Sequence, residues 1–321
     1  MKFYLAPMEA VTNYVFRKVY FSMMGDADKY FSPFIMPTQK KILKTRERKD
    51  IAPENNKGMY MVPQILTNQG EQFAETCTFL RESGYREVNL NIGCPAATVV
   101  TKKKGCGLLD VPDYLNRFLD EIFSWNDKQE KEDAFLISVK TRLGMYESRE
   151  FFRILEIYNQ YPLHELIIHP RVRQDFYNGK PDWEAFSYAL ENSKHPLCYN
   201  GDIFRIQDYN ALRKRFPELQ NIMLGRGLVA NPALIRELKG GKRITKEELQ
   251  RYHDALYEAY CQDMSGEKDV LFKMKEMWSY MGTCFTDSEK ILKNIQKVRK
   301  PEEYRQVVRE AWQMLGLVKQ E

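Results

Sequence analysis

The chain has 321 residues, 43% of them hydrophobic and 13% aromatic, enough for one large domain with a smaller one beside it. A net charge of +5 with pI near 8.7 favours a nucleic-acid partner, though an ordinary basic enzyme explains it equally well. Six cysteines with no C-x-x-C pair and four scattered histidines argue against a structural zinc site, and no run approaches the roughly 20 apolar residues of a membrane span.

Eight short apolar runs, at 3–7, 30–34, 61–65, 87–92, 135–140, 165–169, 196–200 and 221–225, read as strands. Most are separated by helical patterns. After the third run, Phe73, Cys77 and Leu80 share one helical face and Gly84 ends it. The fourth run, within 86–109, puts Val88, Leu90 and Ile92 on one face and Asn89 and Asn91 on the other. Gly93-Cys94-Pro95 must then leave the sheet, because glycine permits unusual dihedrals and proline lacks a donor. This pins a thiol at the carboxyl end of a strand, although a small buried hydrophobe in a tight turn would read the same way. Lys102, Lys103 and Lys104 make the following loop basic, and Cys106 lies in a flexible Gly105-Cys106-Gly107 segment.

A helix beginning near Asp110 and Pro112 carries the stripe Leu115, Phe118, Leu119, Ile122 and Phe123. Asp182 precedes another helix, and Tyr209, Leu212 and Phe216 belong to a further one. Alternating strands and helices predict an α/β fold, a (β/α)8 TIM barrel over residues 1–242. An open doubly wound sheet is the competitor, lowered by the missing G-x-G-x-x-G after the first strand.

Composition shifts at Lys239-Gly240-Gly241-Lys242. Thereafter only helical patterns follow. Thr245-Lys246-Glu247-Glu248 is a capping box, Leu249, His253, Leu256 and Tyr260 repeat at helical spacing, and Pro301 opens the last helix. A small C-terminal helical bundle over 243–321 is expected.

The block Asn89-Leu90-Asn91-Ile92-Gly93-Cys94-Pro95 resembles the signature of the dihydrouridine synthases, flavoenzymes that reduce uridine in RNA. Ala6-Pro7-Met8, Gln64, Lys140-Thr141-Arg142-Leu143-Gly144, His169-Pro170-Arg171, Asn200-Gly201-Asp202 and Gly225-Arg226-Gly227 resemble that family's other blocks, in the same order. His169-Pro170-Arg171-Val172 departs from the more usual His-Gly-Arg-Thr, which alters the pocket wall.

The resemblance implies FMN as cofactor, NADPH as reductant, and RNA, most often tRNA, as substrate. It assigns cofactor binding to Pro7, Met8, Glu9, Gln64, Lys140, His169, Asn200, Gly201, Asp202, Gly225 and Arg226. In many barrels the loops after strands seven and eight hold a phosphate, and Arg226 offers a bidentate cation there. Lys140 would stabilise a reduced flavin, though a strand-end lysine can instead serve an ion pair.

Cys94 is the expected acid. Reduction of the uracil C5=C6 bond needs a hydride at C6 and a proton at C5, and a thiol of ordinary pKa about 8.5 carries its proton at neutral pH. Asn91 is expected to hold the uracil edge. Arg171, Arg173, Lys102, Lys103 and Lys104 are the RNA candidates, with the basic stretches 40–49 and 290–305 and the helical tail as an RNA-binding domain. A uridine in folded RNA must be extruded, which costs a few kcal/mol. The protein is expected to be a cytoplasmic monomer. Action on ribosomal RNA, a flavin barrel oxidoreductase acting on a small pyrimidine or enone, and an RNA-binding barrel without chemistry are the alternatives.

Overall fold

The computed structural model describes residues 1–39 and 41–318. Lys40, the first residue of one expected basic stretch, and residues 319–321 lie outside them. The eight runs form strands β1 (Lys2–Leu5), β2 (Lys29–Ile35), β3 (Met61–Ile65), β4 (Glu87–Ile92), β5 (Leu136–Arg142), β6 (Glu165–His169), β7 (Leu197–Tyr199) and β8 (Asn221–Leu224). Each pairs in parallel with the next, and β8 pairs with β1, closing a barrel in chain order. The doubly wound alternative falls with that closure.

Alternation in each strand sorts the side chains. On β4, Val88, Leu90 and Ile92 pack outward into the main core against the surrounding helices. Asn89 and Asn91 point inward, beside Ser138 and Lys140 in register on β5. Tyr4, Phe31, Val62, Ile167, Cys198 and Met223 form a separate apolar cluster inside the barrel. Below them Glu165 accepts from Tyr4 Oη at 3.0 Å and Asn221 Nδ2 at 2.7 Å. The interior is thus plugged towards the amino-terminal face, and a cavity opens at the carboxyl ends of the strands.

The helices follow local rules. The expected stripe is buried along Pro112–Asn126. Asp182 caps Trp183–Asn192, accepting from Ala185 N at 2.9 Å. Residues Gly105–Leu108, expected as a flexible segment, form a buried 3-10 turn whose Cys106 N donates to Cys94 O at 3.1 Å.

The tail contributes helices Lys246–Asp263, Glu267–Met281, Glu289–Lys297 and Pro301–Met314. Thr245 caps the first, accepting from Glu248 N at 3.1 Å, while the Glu248 carboxylate pairs with Arg236. Leu249, Tyr252, Leu256 and Trp278 belong to the same buried cluster as the barrel's outer residues. Tyr252 meets Phe16 edge-on at 6.4 Å, and Lys273 donates to the carbonyl of Ala10, which holds a positive φ of 62°. Buried residues on both sides of residue 243 thus share one cluster.

Candidate active site

A cavity of about 280 Å³ opens at the carboxyl ends of the strands. Pro7, Met8 and Glu9 line it after β1, Gln64 from β3, Asn91, Gly93 and Cys94 from β4, Lys140 and Arg142 from β5, and His169 from β6. Asn200, Gly201 and Asp202 line it after β7, and Gly225 and Arg226 after β8. Barrel closure is the physical reason that positions so far apart in sequence share one space.

A directional run of amides fixes the thiol loop. The Cys94 and Gly93 N–H groups donate to Asn91 Oδ1 at 2.9 and 3.1 Å. Asn91 Nδ2 donates to Gln64 Oε1 at 2.8 Å, and Gln64 Nε2 to Asn89 Oδ1 at 2.7 Å. Asn89 Nδ2 then donates to Ser138 Oγ at 2.9 Å, which donates to Val88 O at 3.2 Å. Every amide has one orientation that satisfies its neighbours. The carbonyl of Asn91 therefore holds the loop rather than a ligand, and only its second N–H remains to donate.

The two thiols differ. Cys94 is half-buried on the cavity wall, and burial pushes its pKa up, with the Ala96 N–H pulling the other way. Cys106 is buried in the core, with its pKa raised to about 12 by burial.

Lys140 enters from the floor. Desolvation, reinforced by Arg142, pushes its pKa down to about 8. Its Nζ has no hydrogen-bond or ion-pair partner among the described residues. A partly desolvated ammonium without a partner is costly, and an acceptor-rich or anionic ligand would supply one. At the other side Arg226 donates to Asp202 Oδ1 at 2.5 Å and stacks on Tyr177 with Cζ 4.3 Å from the ring centroid. A Cβ at Gly201 would stand 2.1 Å from Tyr199 Oη, so any larger residue would displace that ring. A polar-edged anion such as FMN fits this donor set.

The remaining candidates divide. Glu9 pairs with Arg46, and burial raises its carboxyl pKa against that pull. Asp202 accepts from both Arg226 and Arg171, so its carboxylate orients cations instead of meeting a phosphate. The expected contact of Arg171 with RNA is overturned: its side chain has no exposed surface, because the carbonyls of the 178–179 turn and Asp202 enclose it. Arg173 is half-buried and donates to Pro95 O at 3.3 Å, bracing the thiol loop. Lys102 and Lys103 are exposed, Lys104 is half-buried, and all three lie outside the cavity; Lys103 pairs with Asp110 at 2.9 Å.

Phe34, Arg142, Tyr177, Glu276 and Tyr280 also line the cavity. Arg142 was discoverable, since it lies two residues after Lys140 on the same strand face. It donates to the carbonyls of Gly93, Val172 and Phe176 at 3.2, 3.0 and 2.7 Å. Glu276 and Tyr280 share one face of a tail helix, but nothing local in the sequence says that this face meets the barrel.

The sequence profile of the family described as Dihydrouridine synthase (Dus) matches residues 4–316. A protein of Staphylococcus aureus strain Mu50 called "Probable tRNA-dihydrouridine synthase" is 31% identical over 287 residues, covering 86% of this chain and 81% of the relative. A "tRNA-dihydrouridine(16) synthase" of Aquipseudomonas alcaligenes is 26% identical over 244 residues, covering 74% and 75%. Among solved structures, the old yellow enzyme from Trypanosoma cruzi superposes with TM-score 0.55 at 9% identity, covering 81% of this chain and 93% of that one. Morphinone reductase in complex with tetrahydroNAD gives 0.52 at 11% identity, covering 76% and 88%. These two share the barrel fold. The match across nearly the whole sequence, on a closed barrel whose strand ends gather the family's blocks into one cavity, places this chain in the dihydrouridine synthase family of oxidoreductases.

Proposed function

We propose that this protein is an FMN-dependent tRNA-dihydrouridine synthase that reduces the C5=C6 bond of a uridine, with NADPH as the source of electrons. The observation that carries the reading is the pairing, in one cavity, of a half-buried ammonium at Lys140, without a partner among the described residues, with a protonated thiol at Cys94. Lys140, His169 and Arg226, with the backbone around Pro7, Met8, Asn200, Gly201 and Gly225, would hold the cofactor. Bound there, the reduced flavin supplies a hydride to the pyrimidine.

Cys94 holds the proton for the neighbouring carbon. Burial keeps the thiol neutral, as an acid requires, and the Asn91 carbonyl with the bracing Arg142 and Arg173 fixes the loop that aims it. The tail residues Glu276 and Tyr280 form one side of the cavity mouth.

RNA would lie across the rim. Lys102 and Lys103 after β4, and Lys290, Lys293, Lys297 and Lys300 on the tail, are exposed and suit phosphate contacts. The stretch after Lys40 suits them less, because Arg46 and Lys49 are paired with Glu9 and Asp263.

The test is optical. The purified protein should be yellow, bleach with NADPH and recover its colour with uridine-containing tRNA under anaerobic conditions. A colourless protein that cannot be reconstituted with FMN would refute the reading. Turnover of free uracil as fast as that of tRNA would favour a small-molecule reductase, and a response to ribosomal RNA alone would move the substrate there.

A further inference from the structure

We infer that Arg171 is a positioning residue that locks His169 as the tautomer with its proton on Nδ1, so that the ring presents Nδ1–H as its donor to an acceptor oxygen of the ligand in the cavity. This deepens the flavin reading and rests on it only for the identity of that oxygen.

The argument is a count of donors. A guanidinium has five N–H groups and no acceptor. Arg171 Nε donates to Asn178 O at 3.0 Å, and Nη2 donates to Gly179 O at 2.7 Å and Asp202 Oδ2 at 2.5 Å. Nη1 donates to Asp202 Oδ1 at 3.2 Å and faces His169 Nε2 at 3.1 Å. All five donors are directed at a partner, and the fifth partner is a ring nitrogen. It accepts only if it carries a lone pair. A proton on Nε2 would set N–H against N–H inside a buried site. His169 is buried on the cavity wall, and its Nδ1–H meets no acceptor among the described residues.

The surroundings work in the same direction. Lys140 and Arg142 from β5, Arg171 after β6 and Arg226 after β8 all bear on the ring, with Tyr177 centred 6.0 Å away. Burial and these cations hold the His169 pKa well below its ordinary value, so the ring stays neutral. The same guanidinium orders two more parts of the site. It shares Asp202 with Arg226, and through Asn178 and Gly179 it pins the turn that lays Tyr177 over Arg226 and Arg142.

Long-range 15N–1H correlation spectra of the histidine-labelled holoprotein test this, with His169 assigned by comparison with His169→Asn. The expected pattern is a pyrrole-like Nδ1 and a pyridine-like Nε2, retained at about pH 6, where an ordinary imidazole is mostly charged. A protonated Nε2, or a charged ring at about pH 6, overturns the inference. Arg171→Lys keeps the charge but not the five-donor fork. It should give a mixture of tautomers and weaken FMN binding about tenfold, the scale of one lost hydrogen bond. A variant that retains a single Nδ1–H form shows that Arg171 is not the lock. If Arg171→Lys does not fold, the wild-type spectra still decide. If the wild type binds no FMN, the cofactor reading fails, while the same spectra on the flavin-free protein judge the tautomer separately.

Discussion

Replacing Lys140 with methionine should make the flavin-free protein more stable while impairing cofactor binding. The lysine sits in a desolvated cavity floor without a partner, and its pKa falls from 10.5 to about 8. At about 1.4 kcal/mol per pH unit this corresponds to about 3 kcal/mol against the charged form, and about half that once water in the open cavity is allowed for. The sign follows from proton binding. Between pH 8 and 10.5 the unfolded chain holds a proton on this lysine that the folded chain has released, so wild-type stability rises through that window. Below pH 8 both states are charged and the penalty is complete. Lys140→Met, similar in length and unbranched, removes it. Urea unfolding of flavin-stripped protein at pH 7 should show the variant more stable by about 1–3 kcal/mol, with the gap closing towards pH 10. A variant less stable than wild type at pH 7, or a gap independent of pH, would refute the reasoning.

Cys94→Ala should keep the fold and any flavin but lose about 10²–10⁴ in single-turnover reduction of tRNA. Cys106→Ala should do the opposite, keeping turnover and losing about 1–2 kcal/mol of stability, because its thiol packs in the core. Lys140 meets the cofactor in its protonated form, so FMN binding to the flavin-free protein should weaken on the alkaline side, with an inflection at about 8 that is absent in Lys140→Met. Gly227→Ala should lower the midpoint of thermal unfolding by an amount equivalent to at least about 2 kcal/mol, since its Cβ would stand 2.1 Å from the main-chain oxygen of Ile203.

The barrel was legible because its strands are short, differ in which face is apolar, and alternate with striped helices. β3, β4 and β6 begin and end where the apolar runs do, while β7 is shorter, losing Pro196 and Asn200 to the flanking turns. The strand-end level of the site was legible for the same reason: period two fixes which residues point inward, and closure fixes where they meet. Two things were not. Arg171 reads on paper like any other loop arginine, and only the fold of the 178–179 turn over it takes it out of reach of solvent. The cavity wall formed by Glu276 and Tyr280 depends on how the tail docks, a non-local contact that brings Tyr280 beside Tyr177 and Arg226, for which local periodicity carries no signal.

That docking has a consequence for how the protein is made. Tyr280 and the Lys273 grip on the Ala10 carbonyl come from the last quarter of the chain, whereas the thiol loop leaves the ribosome within the first third. A nascent chain with all eight strands complete would still have one side of its cavity unbuilt. The cavity is therefore complete only after the second tail helix has emerged and seated.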